Sequence, residues 1–452
     1  MSSRDTDSRA PNEALVGWSA IALIVLAVLI GGGGASALPH LDAACQFAGF
    51  VVIALLVATG GQWRIDPAAR AWLVLAALAF LLPLAQLLPL PAGFAAGLPG
   101  RELANDIRAQ AGPQGYLPLT LDPDQTIISA LSLVPGIAAF AVTLRCSARW
   151  RRRALTAWIA MAMLAFVVGG LQVASSGTFA EIYDTPHRLA ATGFFANRNH
   201  HSLFMLVVLV LATAAIFVRG RREEPALEVL RYALLLGLAA GILIAASRAG
   251  LLLLLVSFPV LFLLIGRGNI GLKVNWRHAA GGAFAVMFAL VVFLSLNPVA
   301  RQVLDRFTFG QDARLQFWPD VVYTARRFWP AGTGIGTFPS VYATQERLGA
   351  IDEYRVNHAH NDYLELAIEG GIAAIALVAV FIALFLLRLK AVAGLSGEMR
   401  RMALAAGFGI VLIMAHSLVD YPLRAITMMV MFGFLAGLLF RPAQALRGRE
   451  TT

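Results

Sequence analysis

Apolar stretches of membrane-spanning length recur through almost the whole chain. They fall near 14–31, 45–60, 70–90, 126–144, 154–174 and 201–218, then near 228–246, 249–266, 279–296, 361–387, 402–418 and 423–440. A bilayer core takes about 20 apolar residues per helix. A backbone in lipid must satisfy its own hydrogen bonds, so each stretch reads as a transmembrane helix. Only 14% of the 452 residues are charged and 59% are hydrophobic, against roughly 25% charged in a soluble domain. The expected fold is an all-α polytopic membrane protein of about twelve helices. Residues 14–440 form one transmembrane unit, with tails at 1–13 and 441–452 and a long outer loop at 297–360. The first apolar run exceeds a signal-peptide core and reads as an uncleaved helix, although Ala35-Ser36-Ala37 resembles a cleavage site.

The net charge of +10 reports orientation rather than nucleic-acid binding. With the N-terminus inside, about 23 of the 36 Lys and Arg fall in the even-numbered, cytoplasmic loops and tails. Arg145, Arg149 and Arg151–Arg153 form one such cluster, and Arg388, Lys390, Arg400 and Arg401 another. Both termini are therefore expected in the cytoplasm. Cys45 and Cys146 fall at opposite faces, which argues against a disulfide, and no Cys/His cluster suggests a metal.

Unusual polar sequence gathers on the outer side. One segment, GFFANRNHHS, follows His187 and Arg188 and holds Asn197, Arg198, Asn199, His200 and His201. SRAG places Arg248 at the membrane boundary, and DARLQFWPD carries Arg314 and Trp318. GTGIGTF precedes NHAHNDYLELAIEGG, and HSLVDYPLR joins the last two helices with His416, Asp420 and Arg424. Each has a bland reading. Boundary arginines snorkel, Asp362 complements a helix dipole, and GTGIG is no P-loop because no GK[ST] follows. Convergence of five separated segments on one face favours a site.

His358, Asp362, Glu365 and Glu369 recur at i, i+4, i+7 and i+11, on one helical face. Glu369 falls roughly 12 Å below the loop. The expected picture is a funnel opening outward, lined by this helix; the alternative is a pair of interhelical hydrogen bonds. Arginine suits phosphate and pyrophosphate, and histidine suits general-base work. Together, without a nucleotide loop, they point to transfer of a group from a phosphate-activated donor.

HAHNDYLELAIEGG resembles the O-antigen ligase and polymerase superfamily, whose mark is His, then Asn, Ser or Gln, then a Gly further on. His360, Asn361 and Gly371 meet it; Ala374 departs from the Gly, Thr or Tyr that follows. The other outer segments resemble family segments in the same order, so the resemblance covers about 120–440. It implies a fold like type C glycosyltransferases and a metal-independent, inverting transfer without cofactor. The implied donor is an undecaprenyl-diphosphate-linked oligosaccharide in the inner membrane; the implied acceptor is another glycan or lipid A–core, and the active site is periplasmic. His360 resembles the catalytic base, and Arg248 and Arg314 the arginines that hold the diphosphate. Arg198, Asn199 and His200 are implied to line the donor site. Arg188, Asn361, Asp362, Glu365 and Arg424 complete the expected substrate-binding set. The motifs are shared by polymerases and ligases; HSLVDYPLR tilts the reading to polymerase. A lipid-linked-glycan flippase is the competing class, but paired broken helices in two halves are not evident.

Overall fold

The computed structural model describes residues 9–34, 38–60, 66–112, 115–180, 182–183, 190–216, 225–269, 313–351 and 355–441. Its long helices are α1 (Arg9–Ile30), α2 (Pro39–Ala58) and α3 (Ala69–Gln86). A small module follows, with β1 (Pro89–Pro91), α4 (Ala92–Ala96), α5 (Glu102–Ala111) and β2 (Tyr116–Pro118), the two strands pairing antiparallel with Leu90 opposite Leu117. Then come α6 (Pro123–Arg145), α7 (Ala148–Ala174), α8 (Arg198–Ile216), α9 (Pro225–Ile244) and α10 (Arg248–Asn269). The chain ends with α11 (Ala313–Phe328), α12 (Phe338–Tyr342), α13 (Asp362–Val392), α14 (Gly397–His416) and α15 (Ile426–Leu438). Among the described residues nine helices are long and apolar enough to cross a membrane, and Arg248–Leu264 and Ile426–Leu438 are shorter apolar helices. The expected helix at 279–296 lies outside the described residues. The protein is an all-α polytopic membrane protein, as the apolar runs predict. The predicted 297–360 loop contains the sixteen-residue α11 and the short α12.

Local sequence sets several helix starts. Asp122 caps α6 by accepting from Gln125 N, with Pro123 in the first turn. Asn361 caps α13 by accepting from the Tyr363 and Leu364 amides. Small residues then bring the helices together. Gly433-x-x-x-Gly437 of α15 lies against Gly136 and Thr143 of α6, where a Cβ on Gly433 would meet the Gly136 carbonyl. Helix α8 is buried along nearly its whole length and forms the centre of the bundle.

Arginines hold the bundle end remote from HAHND. Arg388 donates from Nε and Nη2 to the Leu439 carbonyl at 2.9 and 2.6 Å. Arg151 reaches Phe440 O at 2.7 Å, and Arg401 reaches Leu264 O at 2.7 Å. The Leu439 and Phe440 carbonyls lie just past the end of α15, where orphan acceptors and the negative dipole end favour cations, and Leu264 O lies within the last two turns of α10.

Helix α13 is broken at Gly371, which has φ +54° and ψ −145°. The loop bearing Gly332 fits the break: Thr333 N donates to Ile368 O at 3.0 Å, Gly334 N to Glu369 O at 2.8 Å, and Ile372 N to Pro330 O at 3.0 Å. A side chain at 371 would strain the left-handed backbone and run into Pro330 O. This gives a physical reason for the glycine of the HAHND…Gly pattern. Gly371→Ala is expected to lower stability by at least about 1–2 kcal/mol, the left-handed cost alone, read as an earlier thermal transition in detergent.

Candidate active site

His360 sits one residue before the Asn361 cap, and its own backbone is left-handed at φ +47°. A non-glycine residue pays about 1–2 kcal/mol for this, and such strain collects at functional sites. The turn brings the imidazole against Asp420, with Nδ1 3.2 Å from Oδ1. Phe317 and Tyr421 flank the ring, at centroid distances of 5.9 and 4.9 Å. The Trp318 indole fastens the preceding residue by donating to Ala359 O at 2.9 Å. Asn361 is spent locally: Oδ1 caps α13 and Nδ2 donates to Leu418 O at 3.0 Å.

Asp420 is fully buried, whereas the His360 side chain is 27% exposed. Its carboxylate is oriented from several sides. Asn199 Nδ2 donates to Oδ2 at 2.7 Å, Tyr421 N to Oδ1 at 3.0 Å, and Asn197 Nδ2 to Oδ2 at 3.3 Å. Ser247 in turn donates to Asn199 Oδ1 at 2.8 Å while accepting from Gly250 N at the start of α10. Four separated segments are thereby tied in the order Ser247, Asn199, Asp420, His360. Burial by itself would raise the Asp420 carboxyl. The hydrogen bond from His360 and the nearby His200, His360 and His416 outweigh it and hold the group well below the usual carboxylate range.

Beneath this pair lies a second buried layer. Arg424 Nη2 meets Glu369 Oε2 at 2.7 Å and Glu365 Oε1 at 3.2 Å. Glu365 also pairs with His358 Nδ1 at 2.7 Å and accepts from Ala359 N at 2.8 Å; Glu369 accepts from Phe338 N at 3.0 Å. Asp362 accepts from Ser417 Oγ at 2.7 Å. Burial works against the Arg424 guanidinium, yet the Glu369, Glu365 and Asp362 carboxylates drive its pKa above the ordinary arginine value.

The outer segments thus meet, though not all in the expected roles. Glu365 and Glu369 share a helical face as predicted but line no open funnel. Both are fully buried and paired, which is the interhelical alternative. Asp362 and Arg424 join the same layer, and Asn199 holds Asp420. His200 lies behind Asp420 with Nε2 3.9 Å from Oδ1 and is almost fully buried. Arg198, Arg248 and Arg314 are half-buried at the starts of α8, α10 and α11, and Arg314 acts electrostatically on His416. Arg188 lies outside the described residues. Sequence reasoning assigned no role to Asp420 or Ser247. A carboxylate one residue ahead of Tyr421-Pro422, in a short interhelical link, was the available signal.

The fold is thus a polytopic helical bundle carrying a partly open histidine backed by a buried aspartate, with arginines at neighbouring helix starts. Residues 232–379 match the family model described as O-antigen ligase. That match supports the O-antigen ligase/polymerase superfamily, the one the motifs resemble, and O-antigen ligase/polymerase-type glycan transfer as its family-level activity. The matched segment holds Arg248, Arg314, His360 and Gly371, whereas Asn199 and Asp420 fall outside it. Comparison with curated proteins gives no match.

Proposed function

We propose that the protein transfers a glycan from an undecaprenyl-diphosphate carrier to an acceptor glycan at the periplasmic face of the inner membrane, acting as a polysaccharide polymerase. The observation that carries this reading is the His360–Asp420 pair, 3.2 Å apart. With Nδ1–H directed at Asp420, Nε2 is the nitrogen that takes a proton. In the proposed reaction His360 removes the acceptor hydroxyl proton as that oxygen attacks the anomeric carbon. The bond from that carbon to the diphosphate oxygen breaks, and its electron pair leaves with undecaprenyl diphosphate. Attack opposite the leaving group inverts the anomeric centre. Arg248 and Arg314 hold the diphosphate and stabilise its growing charge. The arginines capping helices at the opposite end support the orientation, since cytoplasmic loops collect positive charge.

The test uses purified protein in nanodiscs with an undecaprenyl-diphosphate oligosaccharide, in EDTA and without ATP, with and without lipid A–core. A product ladder from the donor alone is expected, reduced about 10²-fold or more in Arg314→Ala. One new band that requires lipid A–core would make the protein a ligase. No transfer, with the donor crossing the bilayer of a proteoliposome, would replace the reading by a flippase.

A further inference from the structure

An apolar cavity of about 330 Å³ lies between α3, α6, α13 and α15. Its walls include Trp72, Ala79 and Leu82 of α3, Leu377 of α13 and Met429 of α15; Tyr363 and Ser417 stand at the end nearest His360. From Trp72 to Leu82 it follows α3 for about 15 Å at 1.5 Å per residue. The polar groups at its mouth are already satisfied: Tyr363 OH donates to Met414 O at 2.9 Å, and Ser417 Oγ to Asp362. Such a slot suits hydrocarbon and offers nothing to a phosphate.

The first segment of α13 sorts its neighbours by face. Leu364 and Ile368 pack on the α11 side with Phe317, Trp318 and Val321, and Glu365 and Glu369 meet Arg424. Tyr363 and Leu366 face the cavity. At 100° per residue, Leu366 lies about 160° around the helix from Ile368. The cavity and α11, with Arg314 in its first turn, are therefore on opposite sides of this segment. Arg248 heads α10, which packs on α8 and α14 and forms no wall of the cavity.

We propose that this cavity holds the first isoprene units of a second lipid-linked glycan, the acceptor, which reaches His360 from the side opposite the arginines. The proposal rests on the glycan-transfer reading above. A volume of about 330 Å³ along about 15 Å takes a segment of one hydrocarbon chain, the rest of the isoprenoid lying in the bilayer. The several acyl chains of a lipid A–core would not fit together.

Ala79→Trp, which fills the slot, is expected to raise the KM for an isoprenoid-linked acceptor about 10-fold or more, with the donor KM unchanged. Its rate on a soluble acceptor sugar without a lipid should equal that of the wild type. Independently of activity, wild type in nanodiscs is irradiated with probes carrying a diazirine in the hydrocarbon chain. An isoprenoid-linked acceptor glycan should label Ala76–Leu82 and Leu377 well above a phospholipid probe. Equal labelling by phospholipid, preferential labelling by the donor trapped as a non-transferable analogue, or preferential labelling by a lipid A–core probe would each overturn the proposal. So would an unchanged acceptor KM in a folded Ala79→Trp. If the wild type transfers nothing, the glycan-transfer reading fails, and labelling no stronger than that of phospholipid would end the cavity assignment as well.

Discussion

His360→Ala is expected to lower glycan transfer by about 10²–10⁴-fold, the usual contribution of a positioned general base, with the elution profile of the wild type. Alanine pays much the same left-handed backbone cost as histidine, but the buried Asp420 carboxylate loses one of its partners, so a somewhat earlier thermal transition is expected in a protein that still folds. The loss should fall on kcat, because the imidazole acts on the proton in flight and not on either lipid anchor. Asp420→Asn separates positioning from bulk. Asparagine fills the same space but has one acceptor oxygen where Asp420 has two, so with its oxygen toward Asn199 its NH2 faces His360; the charge that stabilises a protonated His360 is gone and the tautomer is no longer fixed. A fall of about 10²-fold in kcat is expected, with both KM values unchanged. Asn199→Ala removes one of several donors to Asp420 and should cost less than either. Activity within a few-fold of wild type in His360→Ala would remove this residue from the chemistry.

The spans were legible because hydropathy is local. Each window of apolar residues declares its own helix whatever it packs against, and only 279–296 has no described counterpart. Within the site, His360 and Gly371 were legible through the motif in which the chain resembles the O-antigen ligase and polymerase superfamily, and the structure supplies the cause in a capped helix start and a left-handed break. Asp420 was hidden for the opposite reason. Its partner lies 60 positions earlier, and Asn199 more than two hundred, so no periodicity connects them. The shared face of Glu365 and Glu369 was visible, but their partner was not. Whether buried carboxylates on one helix face water or a cation depends on the residue a neighbouring loop delivers. Here that residue is Arg424, which in the sequence looks as suited to a diphosphate as Arg248 or Arg314.

The two roles for Arg424 predict different failures. Its side chain is 17% exposed, and the two glutamates it joins are fully buried. Removing one partner of a buried ion pair leaves an uncompensated charge and costs about 3–5 kcal/mol. Arg424→Gln strands two carboxylates at once, although His358, Ala359 N and Phe338 N still serve them. A loss in this range is expected, seen as a markedly earlier thermal transition in detergent. Glu369→Gln should be milder, because Arg424 keeps Glu365. In the double variant Glu369→Gln/Arg424→Gln one stranded charge is gone, so part of the loss should return, by about 1–2 kcal/mol of coupling. An arginine that served the donor would behave otherwise: Arg424→Gln would unfold like the wild type and bind donor more weakly, and Glu369→Gln would rescue nothing. The layer also bears on the chemistry above it. Glu365 accepts from Ala359 N and pairs with His358, so it grips the two residues that lead into His360. When Arg424 lets go of Glu365, the strained turn at His360 loses the support that keeps its imidazole on Asp420.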